Sequence, residues 1–136
     1  MTRIVDTRKV VTISPVEVCR ALGDATRWRI VRLVAQDALC VCELAEILGM
    51  PQSSVSSHVQ IIRRAGLLES EKCEKWTYFR IESKYLKLLR LLKGEGAEEP
   101  QWASDDKNAA ARLAVRAGSC CPGPKRLAKS RKTESV

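Results

Sequence analysis

The feature that most constrains the fold of this chain is a pair of short amphipathic helices joined by a tight turn, within residues 39–66. In the first helix, apolar side chains recur at helical spacing over residues 44–48, and the glycine directly after them is a typical helix end. A Met-Pro turn then leads into a second helix over residues 52–65. Two helices of this size with a short connection form a helix-turn-helix, whose second helix enters the major groove of DNA.

The second helix separates a core face from a polar face. Val55, Val59 and Ile62 lie at positions i, i+4 and i+7 and therefore face the core. The side chains predicted to reach base edges are Gln52, Ser53, Ser57 and Gln60, and those predicted to contact phosphates are Ser54, Ser56, Arg63 and Arg64. His58 lies off the outward face, where packing, a phosphate contact and base reading all stay open.

The segments on either side extend the helix-turn-helix to a winged helix. Two capped helices are predicted before it, at residues 15–22 and 25–35. After it, residues 67–81 have the alternation and the central turn of a β-hairpin, which is the wing. Lys72 and Lys75 on the wing would add salt-dependent affinity for DNA. We therefore predict a mainly α fold with a β-hairpin, of the winged helix-turn-helix class.

The remaining segments define the predicted domain organisation. Residues 85–92 carry apolar side chains on more than one helical face, and that excess is best buried against a second copy of the chain. We predict a homodimer whose DNA-binding and dimerisation domain spans residues 14–93. Residues 1–13 lack a helix signal and are predicted to form a flexible arm. Residues 94–136 are predicted to be a flexible, basic, cysteine-containing tail with at most a short helix at 109–117.

Composition and charge limit the classes of protein that remain. A chain of 136 residues suffices for one compact domain, and a formal net charge of +8 favours a polyanionic partner. No apolar run approaches the roughly 20 residues that a bilayer-spanning helix needs, and no signal peptide is evident, so we expect a cytoplasmic protein without a membrane partner. No Cys-x-x-Cys lies in a βαβ pattern and the single histidine belongs to the DNA helix, so we expect no enzyme.

Two cysteines begin the first helix of the helix-turn-helix. A capping box has the pattern Ser/Thr-x-x-Glu; here Cys40 takes the capping place before Glu43, at a cost of ~1 kcal/mol because a thiol is a poor acceptor. The backbone N–H groups and the dipole of a helix start predict lowered pKa values for Cys40 and Cys42. Residues i and i+2 point about 200° apart on a helix. One ion can therefore join both thiols only if the first turn unwinds or Cys40 lies outside it, and binding would pull on the helix beside the DNA reader.

The chain resembles the ArsR/SmtB family of winged-helix repressors and, within it, the arsenic-responsive branch. The resemblance covers roughly residues 15–93, and it is carried by Leu22 to Arg27, Leu39 to Leu44, Val55 to Val59, Ala65 to Leu68, and Tyr78 of the wing. It implies a homodimer that binds operator DNA, represses its own operon and leaves the DNA when a soft metal or metalloid binds. Cys40 and Cys42 match the family's inducer ligands, whereas Ala45 stands where the family often has a third cysteine.

The inducer that this resemblance implies is As(III) or Sb(III), which prefer thiolate ligands. For the third thiolate the first choice is Cys120 or Cys121 of the tail, followed by Cys19, while Cys73 at the wing tip is expected to be an exposed bystander. Two alternatives stay open for the cysteines themselves, a small buried pair at the helix start and an adventitious pair in the tail. Cd(II) or Pb(II) stays open as the inducer, and so does a thiol redox switch. Structural zinc is not expected, because no second closely spaced cysteine pair supplies four ligands.

Overall fold

A computed structural model describes residues 14–94, 99–119 and 121–127, together with the backbone of two N-terminal strands at 3–6 and 9–12. The two strands, β1 and β2, pair antiparallel with each other. This hairpin differs from the flexible arm predicted for residues 1–13. Because an alternation of charged and apolar residues suits a two-stranded ribbon, the pattern was compatible with strand pairing.

Four helices build the core of the domain: α1 (Pro15–Leu22), α2 (Ala25–Gln36), α3 (Val41–Leu48) and α4 (Gln52–Arg64). The first two begin at the predicted caps, where Ser14 and Asp24 accept backbone N–H groups three residues ahead. Helices α3 and α4 are joined by a short turn and pack on each other. The core face of α4 is buried as predicted, with its three apolar side chains at most 1% exposed.

The wing is a three-stranded antiparallel sheet instead of a simple hairpin. Strands β4 (Leu68–Cys73) and β5 (Trp76–Ile81) form the predicted hairpin, and a two-residue strand β3 (Leu39–Cys40) adds to the other edge of β5. In this register Cys40 lies opposite Tyr78 of β5. The short strand therefore ties the start of α3 directly to the wing.

The C-terminal part differs most from the prediction of a flexible tail. A helical turn and α5 (Leu86–Lys93) follow the wing, and then α6 (Pro100–Ala114) packs against α2 and α3. A 3-10 turn at Arg116–Gly118 continues α6, and residues 121–127, which we call the strap, lie against the wing. The short helix predicted at 109–117 overlaps the last part of α6, which begins earlier and stops at Ala114.

Charged and aromatic contacts hold α6 in place. Asp105 is completely buried and accepts two hydrogen bonds from the Arg29 guanidinium of α2, at 2.8 and 2.9 Å. The hydrogen bond to Asp105 raises the pKa of Arg29, against the effect of burial. The Arg32 guanidinium lies 4.8 Å from the centre of the Trp102 ring. The buried face of α6 therefore contains charged residues. For this reason the apolar periodicity of the sequence did not predict the helix.

Candidate nucleic-acid interface and thiol site

Helix α4 presents the polar face that the sequence predicts for contacting DNA. Its exposed side chains in this set are Gln52, Ser53, Ser57, Arg63 and Arg64, and its half-buried ones are Ser54, Ser56, His58 and Gln60. The Ser57 hydroxyl donates to the Ser53 carbonyl oxygen at 3.1 Å. A continuous polar surface is therefore available on the side of α4 away from the core.

His58 faces another helix. Its Nδ1 lies 3.3 Å from Nη1 of Arg27 and 4.0 Å from a carboxylate oxygen of Asp24, at the start of α2. These contacts join α4 to the cap of α2. Of the roles left open for His58, packing between the two helices fits this position best.

A cleft of about 610 Å³ lies between α4 and the wing. Gln52, Gln60 and Arg63 line it from α4, and Lys72 and Lys75 line it from the wing. Both lysines are exposed, as is Arg63. Three cations around one concave surface favour a polyanion such as the phosphate backbone of DNA.

Cys40 lies at the junction of the wing and the helix-turn-helix. It is the N-cap of α3, has an extended backbone (φ −94°, ψ 169°) and is 2% exposed. Glu43 completes the predicted capping box, because its carboxylate accepts the Cys40 N–H at 3.2 Å and its own N–H is directed to the Cys40 sulfur. Of the two geometries that the sequence allows for a shared ion, the structure has the one in which Cys40 lies outside the helix.

The prediction of a lowered pKa is wrong for Cys40. Burial raises the pKa of this thiol to about 11, and the neighbouring Glu43 carboxylate adds to the rise. The Glu43 N–H and a hydrogen bond with the Cys121 thiol lower the pKa only in part. The helix-start argument failed because the thiolate would lose its hydration in this buried position. The Cys40 thiol therefore keeps its proton at neutral pH.

Cys42 connects the start of α3 with the start of α4. It lies on the first turn of α3, is half-buried and lines the cleft between α4 and the wing. The Gln52 side-chain amide donates to its sulfur at 3.5 Å. A ligand on Cys42 would therefore act directly on a residue that is predicted to read DNA.

The strap brings a tail cysteine to this junction. Cys121 is completely buried, and its thiol makes a hydrogen bond with that of Cys40. The Gly123 N–H donates to the Tyr78 hydroxyl at 2.8 Å. Cys120, the other tail candidate, lies outside the described residues.

Arg116 anchors the end of α6 to the same junction. Its guanidinium makes two 2.8 Å hydrogen bonds to the Glu43 carboxylate and donates to the Ala38 carbonyl oxygen at 2.7 Å. Glu43 is completely buried, and the Arg116 guanidinium lies 5.5 Å from the centre of the Tyr78 ring. Burial lowers the pKa of Arg116, but the Glu43 carboxylate outweighs burial and the net shift is upward. The start of α3 is thus held by a buried ion pair.

Cys73 is not the exposed bystander that we predicted. It is 8% exposed and belongs to a small buried cluster with Cys40, Tyr78 and Cys121, while Cys42 packs at the edge. Its position at the end of β4, opposite Trp76, turns its side chain to the strap side of the wing. Strand alternation from Glu71 could have predicted this facing, but not the strap that covers it.

The thiols are close but do not form a complete ligand set. Within residues 14–94, 99–119 and 121–127, no three cysteine, histidine or carboxylate side chains are grouped tightly enough to hold an ion. The cysteines of these segments form no disulfide with one another. Cys40 and Cys121 pack within one buried cluster, and Cys42 packs at the edge of that cluster.

Cys19 lies elsewhere. It is exposed on α1, in a hollow of about 360 Å³ that Leu22, Trp28 and Leu92 also line. The structure of one chain therefore does not bring Cys19 to the Cys40 cluster.

Comparison with known proteins agrees with the fold. A family model described as bacterial regulatory protein, arsR family, matches residues 24–70. The arsenic resistance transcriptional regulator ArsR1 of Pseudomonas putida is 33% identical over 96 residues, which are 69% of this chain and 75% of that protein. The cadmium resistance transcriptional regulatory protein CadC of Listeria innocua is 35% identical over 74 residues, 54% of this chain and 60% of that protein.

Two solved structures share the fold. The homodimeric winged helix-turn-helix DNA-binding domain of a possible ArsR-family regulator from Mycobacterium bovis matches with a TM-score of 0.55 and 28% identity, over 57% of this chain and 73% of that one. The AntR antimony-specific transcriptional repressor matches with a TM-score of 0.51 and 29% identity, over 57% of this chain and 72% of that one.

The fold is the winged helix-turn-helix that we predicted. The chain belongs to the ArsR family of bacterial regulatory proteins, which are metal-responsive transcriptional repressors and not enzymes. No helix among the described residues is long and apolar enough to cross a membrane.

Proposed function

We propose that this protein is a homodimeric repressor that binds operator DNA and is released when As(III) or Sb(III) binds Cys40, Cys42 and Cys121. The observation that carries the proposal is the packing of Cys40 and Cys121 in one buried cluster at the start of α3, where their thiols share a hydrogen bond. This contact supports the tail cysteine over Cys19 as the third ligand. The arsenic and antimony regulators among the similar proteins support the choice of metalloid.

The chemistry of arsenite suits thiols that keep their protons. Arsenite, As(OH)₃, condenses with three thiols to give As(SR)₃ and three water molecules, so each thiol proton leaves on a hydroxyl of the arsenic. No free proton is released and no thiolate has to form beforehand. The raised pKa of Cys40 is therefore compatible with arsenite binding, and the burial of Cys40 and Cys121 protects the As–S bonds from water.

Release from DNA follows from the incomplete ligand set. Cys42 must move toward Cys40 and Cys121 before one ion can join all three, and this movement changes the first turn of α3. Gln52 at the start of α4 contacts Cys42, so the change reaches the DNA-reading helix in one step. The ion thereby stabilises a conformation in which α4 no longer fits the groove, which is a coupling between two sites.

The DNA-binding role assigns functions to the exposed surface of α4 and the wing. We propose base contacts for Gln52, Ser53, Ser57 and Gln60, and phosphate contacts for Ser54, Ser56, Arg63, Arg64, Lys72 and Lys75. His58 supports α4 through Arg27.

A homodimer would present two such helices to successive half-sites. Leu91 and Leu92 of α5 are 78% and 55% exposed, and Val16 of α1 is 63% exposed. Apolar side chains so exposed on neighbouring helices support a partner surface there. The homodimeric state of the Mycobacterium bovis domain supports the same assignment.

The test is fluorescence anisotropy of labelled promoter DNA from upstream of the gene, titrated with arsenite in a reducing buffer. We expect arsenite to release the wild-type protein, Cys40→Ser and Cys121→Ser to stay bound, and the matched control Cys19→Ser to respond like wild type. Arsenite-driven release of Cys40→Ser would contradict the ligand assignment. A protein that never binds its promoter would contradict the DNA-binding role.

Cd(II) is the second candidate inducer, favoured by the likeness to the cadmium regulator CadC. Cd(II) must displace the thiol protons into solution, so its affinity should rise steeply with pH below the Cys40 pKa of about 11. Arsenite affinity should change little over the same range. The pH dependence of inducer binding therefore separates the two candidates.

A further inference from the structure

We infer that Glu71 of the wing is a positioning residue for the inducer site, because its carboxylate holds the strap in the register that brings Cys121 to Cys40. The identity of the ligand in this inference rests on the proposed function. The position of the strap rests on its own contacts with the wing.

One carboxylate accepts three consecutive backbone N–H groups of the strap. The Glu71 oxygens accept from Lys125 at 2.8 Å, from Arg126 at 2.7 Å and from Leu127 at 3.0 Å. Glu71 is 7% exposed, although it is acidic and lies on a surface sheet. Successive N–H groups that converge on one point form an anion-binding concavity, and here the anion is a side chain of the same molecule.

The strap crosses the three strands of the wing in order. Its contacts are Cys121 with Cys40 of β3, Gly123 with Tyr78 of β5, and residues 125–127 with Glu71 of β4. Cys40 lies opposite Tyr78, and Tyr78 lies opposite Glu71, so the three wing residues form one row across the sheet. The strap therefore advances two residues for each strand that it crosses.

This spacing makes the register sensitive to Glu71. A slip of one residue would move the strap by about 3.3 Å along its own direction and replace Cys121 with Cys120 beside Cys40. Among the described residues, the Tyr78 hydroxyl accepts one N–H, from Gly123, whereas Glu71 binds three N–H groups at once. Loss of the carboxylate should therefore allow the strap to slip by one residue. Either of the two adjacent cysteines could then lie beside Cys40.

The matched variants are Glu71→Gln and Glu74→Gln. Both remove one negative charge from the wing, but Glu74 is exposed in the hairpin turn, whereas Glu71 is buried and bonded to the strap. Glutamine at position 71 keeps the size of the side chain but puts a donor where the strap N–H groups need an acceptor. Tyr78→Phe serves as a second variant, since it removes the Gly123 acceptor and keeps the buried ring.

The first measurement is the rate at which a maleimide labels each cysteine in the folded, reduced full-length protein, located by peptide mass spectrometry. We expect Glu71→Gln to speed labelling of Cys121 by about tenfold or more, since charge-assisted hydrogen bonds are lost. Labelling of the exposed Cys19 should not change and gives the internal reference. Tyr78→Phe should have a smaller effect in the same direction, and Glu74→Gln none. Unchanged labelling of Cys121 in Glu71→Gln would overturn the role of Glu71.

The second measurement is arsenite affinity of Cys120→Ser and Cys121→Ser, each in the wild-type and the Glu71→Gln background. We expect Cys121→Ser to weaken binding at least about tenfold more than Cys120→Ser in the wild-type background, and this difference to shrink in Glu71→Gln. Equal losses in the wild-type background, or a difference that survives Glu71→Gln, would overturn the register. A wild-type protein that does not bind arsenite would remove the proposed function, while the labelling rates would still decide whether Glu71 holds the strap.

Discussion

The start of α3 is held from two sides by different kinds of interaction. On one side is the apolar core that α3 shares with α4. Leu44 of α3 and Val55 and Ile62 of α4 belong to this core and are all completely buried. The C-terminal segment meets it through the Glu43–Arg116 ion pair, and the strap is held on the adjoining wing by backbone hydrogen bonds to Glu71. Apolar packing has no strong direction and depends on the apolar area that is buried. Ion pairs and hydrogen bonds depend on geometry and charge, so we expect the strap to be released while the DNA-binding core stays folded.

Glu43→Ala should produce the largest effect, because it removes the residue at which the two sides meet. The substitution leaves Arg116 and Arg112 without their buried carboxylate, and breaking a buried ion pair costs about 3–5 kcal/mol. Denaturant unfolding, with Cys121 labelling as a local probe, would measure the loss. A change of less than 1 kcal/mol would show that the ion pair does not hold the segment.

Ile62→Ala tests the apolar side of the comparison. Ile62 is completely buried in α4, and its truncation should cost about 2–5 kcal/mol. The loss should be global, so that the denaturation midpoint measured by circular dichroism falls while Cys121 labelling without denaturant stays at the wild-type rate. Faster labelling of Cys121 in the folded variant would show that apolar packing of the core also holds the strap.

The residues changed in these two variants differ in how far their environment could be predicted from the sequence. The α4 stripe around Ile62 follows a regular period, and it correctly predicted the helix and its buried face. Pro100 is a helix-start signal in the sequence that we did not use, and it lies at the first position of α6. The pairing of Glu43 with Arg116 joins residues that are 73 positions apart, and no local pattern records such a pair.

In the thiol site, too, the sequence predicted the local features and not the contacts between distant segments. Cys40 and the Glu43 capping box were recognisable from spacing, because both lie within one helix turn. The raised pKa of Cys40 and the burial of Cys73 follow from the strap and the third strand, which bring distant segments together. The contribution of tail residues could be proposed from sequence, but the contact of Cys121 with Cys40 required the fold.

Alkaline pH should weaken the junction through Cys40. Its pKa is raised from 9.0 to about 11 in the folded protein, so its contribution to stability is fully present below pH 9.0 and is lost as pH rises toward about 11. Two pKa units correspond to about 2–3 kcal/mol. Denaturant titrations at pH 8 and near pH 11 should show this loss in wild type and a smaller one in Cys40→Ser. An equal loss in both proteins would assign the effect to other groups, such as Tyr78.

Gly123→Ala should have the smallest effect, confined to the strap. Gly123 has a left-handed backbone (φ 98°), and a Cβ there would lie 2.9 Å from Cδ of Arg116. A left-handed conformation costs a residue with a Cβ about 1–2 kcal/mol. We expect faster labelling of Cys121 with an unchanged thermal transition of the core, measured by mass spectrometry and circular dichroism. Slow labelling as in wild type would show that the strap tolerates the side chain.

The central claim is that a cysteine of the strap completes the arsenic site of the helix-turn-helix. Arsenic X-ray absorption of the loaded, reduced protein counts the sulfur neighbours of the ion and tests this claim most directly. We predict three sulfur neighbours in wild type, and two sulfurs with one oxygen in Cys121→Ser. Three sulfur neighbours retained in Cys121→Ser would contradict the claim and assign the third ligand to another cysteine.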